Sequence, residues 1–414
     1  MSATPKPPRN VLVKILQTTA LVVAAWASTC AALLAQSNPS SPSRPTLDSN
    51  GTLQVPAYAL PPSVYASEQA KRTYLQLSKA IAGIKSADET SITQIMQRLE
   101  QAAEAAYSVS IESRLIGGIR TKVVLPKSGV SEHNRHRVLI NLHGGGTSIP
   151  PPQLNELVES IPIAAVARIR VITIDYRFAP PNRFPAANED VEKVYRELLE
   201  QFRAQNIGIY GCSFGGILTA QFVAWLEKEK QGLPLPGAIG LFCSGADWPY
   251  GGDSAYYAMP LFGGTAAAPP FPNPPAYESI PYFGQVSPRD PLVSPVLSPA
   301  LLSRFPAALI ITGSRDFMLS SASNTHAHLL NAGRKAELHV FEGMWHAFLY
   351  SVELPESQQA YNIVSRFFDI HLGSTAQTHP RPSLEKHSTE EASVISQSPS
   401  ASSVGERGLV QDVR

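Results

Sequence analysis

A chain of 414 residues, 43% of them hydrophobic, can bury one core of roughly 250 to 300 residues and still carry appendages. With 34 basic and 33 acidic residues its net charge is +1, so it lacks the electrostatic footprint of a protein that binds nucleic acid or an acidic polymer, and a small molecule in a pocket is the expected partner. The three cysteines at 30, 212 and 243 form no Cys-x-x-Cys spacing, which argues against a disulfide framework or a cysteine zinc site; no metal and no cofactor is expected.

The chain opens with Lys6, Arg9 and Lys14, followed by a charge-free apolar run from Ile15 to Ala35, and no acidic residue precedes Asp48. Residues 1–35 therefore predict an export signal, cleaved after Ala27 or Ala35, in a run that is also long enough to stay uncleaved as a membrane anchor. Residues 36–63, rich in Ser, Pro and Asn, predict an extended linker. Two amphipathic helices come next. The first covers about 65–84 with Tyr74, Leu77, Ile81 and Ile84 on one stripe; the second starts at Ser91, with Gln94 completing a capping box, and presents Ile92, Ile95, Met96 and Leu99. Neither can bury its stripe alone, so residues 64–107 predict a helical cap on the main domain, which spans 64–372.

Two edge strands around Val109–Ser113 and Thr121–Leu125 lead to the apolar run Val138–Leu142, which ends in His143-Gly144-Gly145-Gly146. Three glycines after a strand let the backbone close on a ligand and aim its N–H groups inward, as an oxyanion hole requires, although a plain flexible turn uses the same residues. Strand and helix then alternate: Arg170–Ile174, a helix from Phe184 to about Phe202, Ile207–Tyr210, a helix from about Phe214 to Lys230, Ala238–Phe242, Ala308–Thr312, a helix near 322–332, Glu337–Phe341 and a closing helix over 357–370. This order predicts an α/β fold, a largely parallel sheet with helices on both faces. The aromatic and proline-rich stretch 247–299 is too long for an ordinary connection and predicts a second part of the cap that shapes a substrate pocket; the Ser-rich tail 373–414 predicts disorder.

The chemistry centres on Gly211-Cys212-Ser213-Phe214-Gly215, a Gly-x-Ser-x-Gly sequence between a strand and a helix. Such a turn holds the serine in a cramped backbone conformation and presents its hydroxyl at a helix N-terminus. Serine needs a histidine base, and the histidine needs a carboxylate to fix its tautomer. Asp316 and His346 each follow a strand downstream, in the order Ser, Asp, His, and strand ends on one edge of a parallel sheet converge. Asp247 and Asp290 are rival acids. Cys212 fits a small buried residue better than a reactive thiol, and Asp175 and Arg177 predict an ion pair that braces the loops.

From about Val109 to Ile370 the chain resembles the hormone-sensitive-lipase-like esterases, the α/β-hydrolase group marked by His-Gly-Gly-Gly. The likeness lies in His143 to Gly146, Asp175-Tyr176-Arg177 with Pro180, Phe184-Pro185-Ala186-Ala187, the serine turn, the turns at Asp316 and His346, and Ser294-Pro295 with Ser298-Pro299. The resemblance implies an eight-stranded, mostly parallel sheet with a helical cap, hydrolysis of carboxylic esters by Ser213, Asp316 and His346 without a cofactor, and an oxyanion hole from the backbone of Gly144, Gly145 and Gly146 with the N–H of Phe214. Cys212 and Phe214 depart from the family's usual Asp and Ala, and the bulk of Phe214 is expected to alter the pocket floor or the cap contact. A receptor on the same fold, or an amidase or acyltransferase with the same three residues, are the alternatives; His346 argues against the receptor, which in this family has lost it.

Overall fold

The computed structural model of the protein describes residues 44–56, 58–83, 89–145, 156–230, 232–248, 252–263, 282–284 and 286–373. The export segment, the tail beyond 373 and residues 249–251, 264–281 and 285 of the aromatic stretch lie outside these residues, as does Gly146. The chain forms two compact units, Met1–Pro62 and Ser63–Arg414. In the first, where an extended linker was expected, β1 (Thr46–Leu47) and β2 (Leu53–Gln54) pair as a small antiparallel hairpin. Its turn is built by Asp48, whose Oδ1 accepts from the N–H groups of Asn50 and Thr52 at 2.8 Å each, with Gly51 at a φ of 82°.

In the second unit, α1 (Glu68–Gly83) and α2 (Glu89–Ala106) precede the antiparallel pair β3 (Val109–Ile116) and β4 (Ile119–Pro126). Helix α2 begins two residues ahead of the Ser91 expected to cap it. There follow β5 (Val138–Leu142), α3 (Glu156–Ala167), β6 (Arg170–Ile174), α4 (Ala186–Leu199), β7 (Ile207–Cys212), α5 (Phe214–Lys228), β8 (Ala238–Phe242), α6 (Asp253–Gly263), α7 (Pro299–Leu302), β9 (Ala307–Arg315), α8 (Leu319–Asn331), β10 (Ala336–Trp345) and α9 (Pro355–His371). Eight strands make one sheet in the order β10-β9-β8-β7-β5-β6-β4-β3, in which only the ladders β3–β4 and β4–β6 are antiparallel. Helices α3 and α6 have no counterpart in the sequence expectations: α3 is apolar around its whole circumference and carries Pro162, and α6 hides in the aromatic stretch.

The sheet is covered on both faces because its strands are apolar at both parities. Ile140, Ile172, Ile209, Ile239 and Ile310 face a core shared with α4, α5 and α8, while Leu139, Val171, Tyr210, Leu309 and Ile311 face a core shared with α1, α2, α3 and α9. That second core takes Ala70 of α1 and Ala103 of α2, and Tyr74, Leu77, Met96 and Leu99 of the same helices pack against it partly buried. Among the described residues no helix is long and apolar enough to cross a membrane.

Candidate active site

Strands β7, β9 and β10 run parallel and release Ser213, Asp316 and His346 as the first residues after their C-terminal ends. Ser213 has φ 56° and ψ −126°, a region that a residue with a Cβ occupies only when its surroundings enforce it. The enforcement is close packing: a Cβ on either Gly211 or Gly215 would strike the carbonyl oxygen of Leu142 at the end of β5. The turn is further tied to β8 by the Ser213 N–H, which donates to Phe242 O at 2.8 Å.

Ser213 Oγ lies 3.0 Å from His346 Nε2, and His346 Nδ1 lies 2.8 Å from Asp316 Oδ1. Asp316 also accepts from the Met318 N–H at 2.9 Å and, on its other oxygen, from the Thr312 hydroxyl at 2.9 Å. Burial alone would raise this carboxyl; the His346 charge and these hydrogen bonds outweigh it and hold Asp316 below the ordinary aspartate value. Phe317 stacks on the imidazole at 4.1 Å between ring centres, and the next residue after His346, Ala347, takes a left-handed φ of 59° with its N–H on Cys243 Sγ at 3.3 Å. Cys243, Asp316 and His346 hold the one group of metal-type side chains that converge within 4.8 Å among the described residues, and two of them already bond to each other. Neither rival acid reaches the histidine: Asp247 bonds Ser321 Oγ, and Asp290 accepts from the Leu292 N–H at 2.9 Å.

The glycine loop after β5 is pinned at successive residues. Tyr176 OH donates to His143 O at 2.6 Å, and His143 Nδ1–H turns back on Gly144 O at 2.9 Å. Burial pushes the His143 imidazole down to about 4, so the ring is neutral, stacked on Tyr176 and Phe178. The Gly144 N–H, expected in the oxyanion hole, donates to Glu159 Oε1 at 2.8 Å; Gly145 takes a φ of 122°, a backbone conformation that favours glycine. Phe214 is buried in a set of rings from Tyr176, Phe178, Trp248, Tyr282 and Phe283, at 5.6 to 6.5 Å between centres, which is where its bulk goes. Asp175 and Arg177 do not pair with each other: Asp175 accepts from Arg120 Nε at 2.7 Å and Arg177 Nε donates to Asp190 at 2.7 Å.

Glu159, from α3, was not singled out in the sequence. It is buried, and it receives Asn141 Nδ2 at 2.8 Å and the Cys212 N–H at 3.1 Å on Oε2, and the Gly144 N–H at 2.8 Å and Tyr350 OH at 2.6 Å on Oε1. Burial pushes its carboxyl up to about 7, against the pull of these four donors.

Residues 139–350, more than half of the chain, match the profile of a family described by its α/β-hydrolase fold. The esterase E25 is 30% identical, with a TM-score of 0.66 over 78% of this chain and 99% of that one. An esterase from the bacterial hormone-sensitive lipase family is 25% identical, with a TM-score of 0.62 over 74% of this chain and 100% of its own. An acetyl-hydrolase of Streptomyces hygroscopicus is 29% identical over 57% of this chain and 77% of that protein. The chain belongs to the α/β-hydrolase family, among its hormone-sensitive-lipase-like esterases.

Proposed function

We propose that the protein is an exported serine carboxylesterase that works through an acyl-enzyme. The observation that carries this is the run of hydrogen bonds from Ser213 Oγ through His346 to Asp316, at a serine held at positive φ. Ser213 Oγ attacks the ester carbonyl as its proton passes to His346 Nε2, and His346 returns that proton to the departing alkoxide. Water, deprotonated by His346, then cleaves the acyl-serine and frees the acid. Asp316 keeps the Nδ1 proton in place and offsets the imidazolium charge. The oxyanion falls to the Phe214 N–H, first in α5, and to the N–H groups of Gly145 and Gly146. Relatives named as esterases and as an acetyl-hydrolase support a small carboxylic ester as substrate. No metal or coenzyme has a step in this scheme.

Nitrophenyl esters of rising acyl length, run beside amide analogues, test it. The wild type should cleave the esters, and Ser213→Ala should lose about four to six orders of magnitude. A variant that keeps more than a tenth of the activity overturns the serine mechanism, and amides turned over faster than esters make the protein an amidase. Export predicts a mature chain starting at Ser28 or Gln36 by mass spectrometry; an intact residue 1–35 segment in the membrane fraction would establish an anchor instead.

A further inference from the structure

Helix α3 sends Leu157, Val158, Ile161, Ile163 and Ala164 into the core, and among them a single carboxylate, Glu159, turns inward. A carboxylate buried in an apolar layer survives only if its lone pairs are filled, and here each oxygen takes two donors. None of the four is cationic. The Asn141 amide is itself aimed: its Oδ1 accepts from the Thr173 hydroxyl at 2.9 Å, which leaves Nδ2 for Glu159. The four donors come from four places in the chain, and three of them are parts of the reaction centre. Gly144 begins the glycine loop, Cys212 is the residue before the nucleophile, and Tyr350 closes the short turn that follows His346. The same backbone position that carries an aspartate in the resembled family carries Cys212 here, and the carboxylate that meets this turn comes from a helix instead.

We propose that Glu159 is a positioning residue for ester hydrolysis: its carboxylate clasps the glycine loop, the serine turn and the histidine turn in one fixed arrangement, so that the nucleophile, the base and the oxyanion donors meet the same carbonyl. With the Gly144 N–H anchored on Glu159, the N–H groups that follow it are the ones left for the substrate. The clasp adds no binding contact, so its loss falls on kcat and leaves KM nearly alone. A fully satisfied buried network of this sort also resists one-sided change, because an amide in place of the carboxylate sets N–H against N–H.

The inference rests on the serine-esterase reading, and its test separates the two. A nitrophenyl phosphonate first titrates the competent serine in each preparation; a wild type that is not titrated and cleaves no ester removes both. Glu159→Gln, normalised to titrated sites, is expected to lower kcat about 10- to 100-fold with KM within about threefold, and to weaken inhibition by a trifluoromethyl ketone, which mimics the tetrahedral intermediate, by a similar factor. Tyr350→Phe, which removes one donor, should cost about 3- to 10-fold alone and less in the Glu159→Gln background, since both act on one network. A variant that melts earlier yet keeps the wild-type kcat per titrated site makes Glu159 a structural residue only and overturns the proposal. Should Glu159→Gln fail to fold, Tyr350→Phe decides: kcat within twofold of the wild type overturns it.

Discussion

Asp316 and Glu159 are both buried carboxylates, each bonded to the machinery around Ser213, and they are held in opposite ways. Asp316 has His346 as a partner that can take up a positive charge, and it stays below the ordinary aspartate range despite its burial. Glu159 has a fuller set of hydrogen bonds but only neutral donors, and burial lifts it to about 7. The difference teaches that in this site burial does not fix the role of an acid; the chargeability of its partner does. Asp316 can stabilise charge that appears during the reaction, whereas Glu159 can only hold atoms in place.

A set of substitutions and a pH series break or sharpen that contrast. The largest effect is expected from Asp316→Asn, which presents the wrong hydrogen-bond pattern to the ring: kcat should fall by roughly 10⁴ with KM little changed, while Asp247→Asn and Asp290→Asn cost less than about tenfold in steady-state assays. An active Asp316→Asn enzyme would put both carboxylates in the holding role. Next comes Phe214→Ala, which empties the centre of the ring cluster and should cost about 3–5 kcal/mol in denaturant unfolding, with a relative gain for longer acyl chains; a cost under about 1 kcal/mol would mean the ring is not packed as described. Glu159→Gln follows with its smaller, kcat-only loss.

The last contrast is in stability against pH, and it sets Glu159 against His143. The His143 imidazole titrates near 4 in the fold and near 6.5 when unfolded, so the unfolded chain binds the extra proton between those values and stability is lost as pH falls from 6.5 to about 4, by up to about 3 kcal/mol. Glu159, raised to about 7 from 4.5, runs the other way, and its contribution is lost as pH rises through that window. Unfolding curves at pH 7 and pH 5 should therefore show a shallower acid loss in His143→Gln than in the wild type, and a steeper one in Glu159→Gln. Parallel curves for all three would show that neither group keeps its unusual protonation.

Much of this site could be read from the chain because its parts sit where sequence patterns are strongest. Ser213, Asp316 and His346 each follow an apolar strand run, and a parallel sheet brings such ends together whatever lies between them. The doubly apolar strands Val138–Leu142, Arg170–Ile174 and Ala238–Phe242 needed nothing from their neighbours to be located. Glu159 escaped for the converse reason. It stands in a helix apolar on all sides and interrupted by Pro162, where no period marks a face, and its four donors come from β5, β7, the glycine loop and the turn after β10. The acceptor that the Gly144 N–H meets was hidden on the same account, since it arrives from α3. Asp175 and Arg177 looked like partners because they are two apart, yet adjacent strand and helix ends supply closer ones in Arg120 and Asp190.

The claim that Ser213 is the nucleophile is tested most directly by covalent labelling. A fluorophosphonate should attach once per chain, on the peptide that holds Ser213, with esterase activity falling in proportion to the label; neither Ser213→Ala nor acid-unfolded protein should react. An adduct on any other residue, or ester hydrolysis that survives complete labelling of Ser213, would contradict the mechanism.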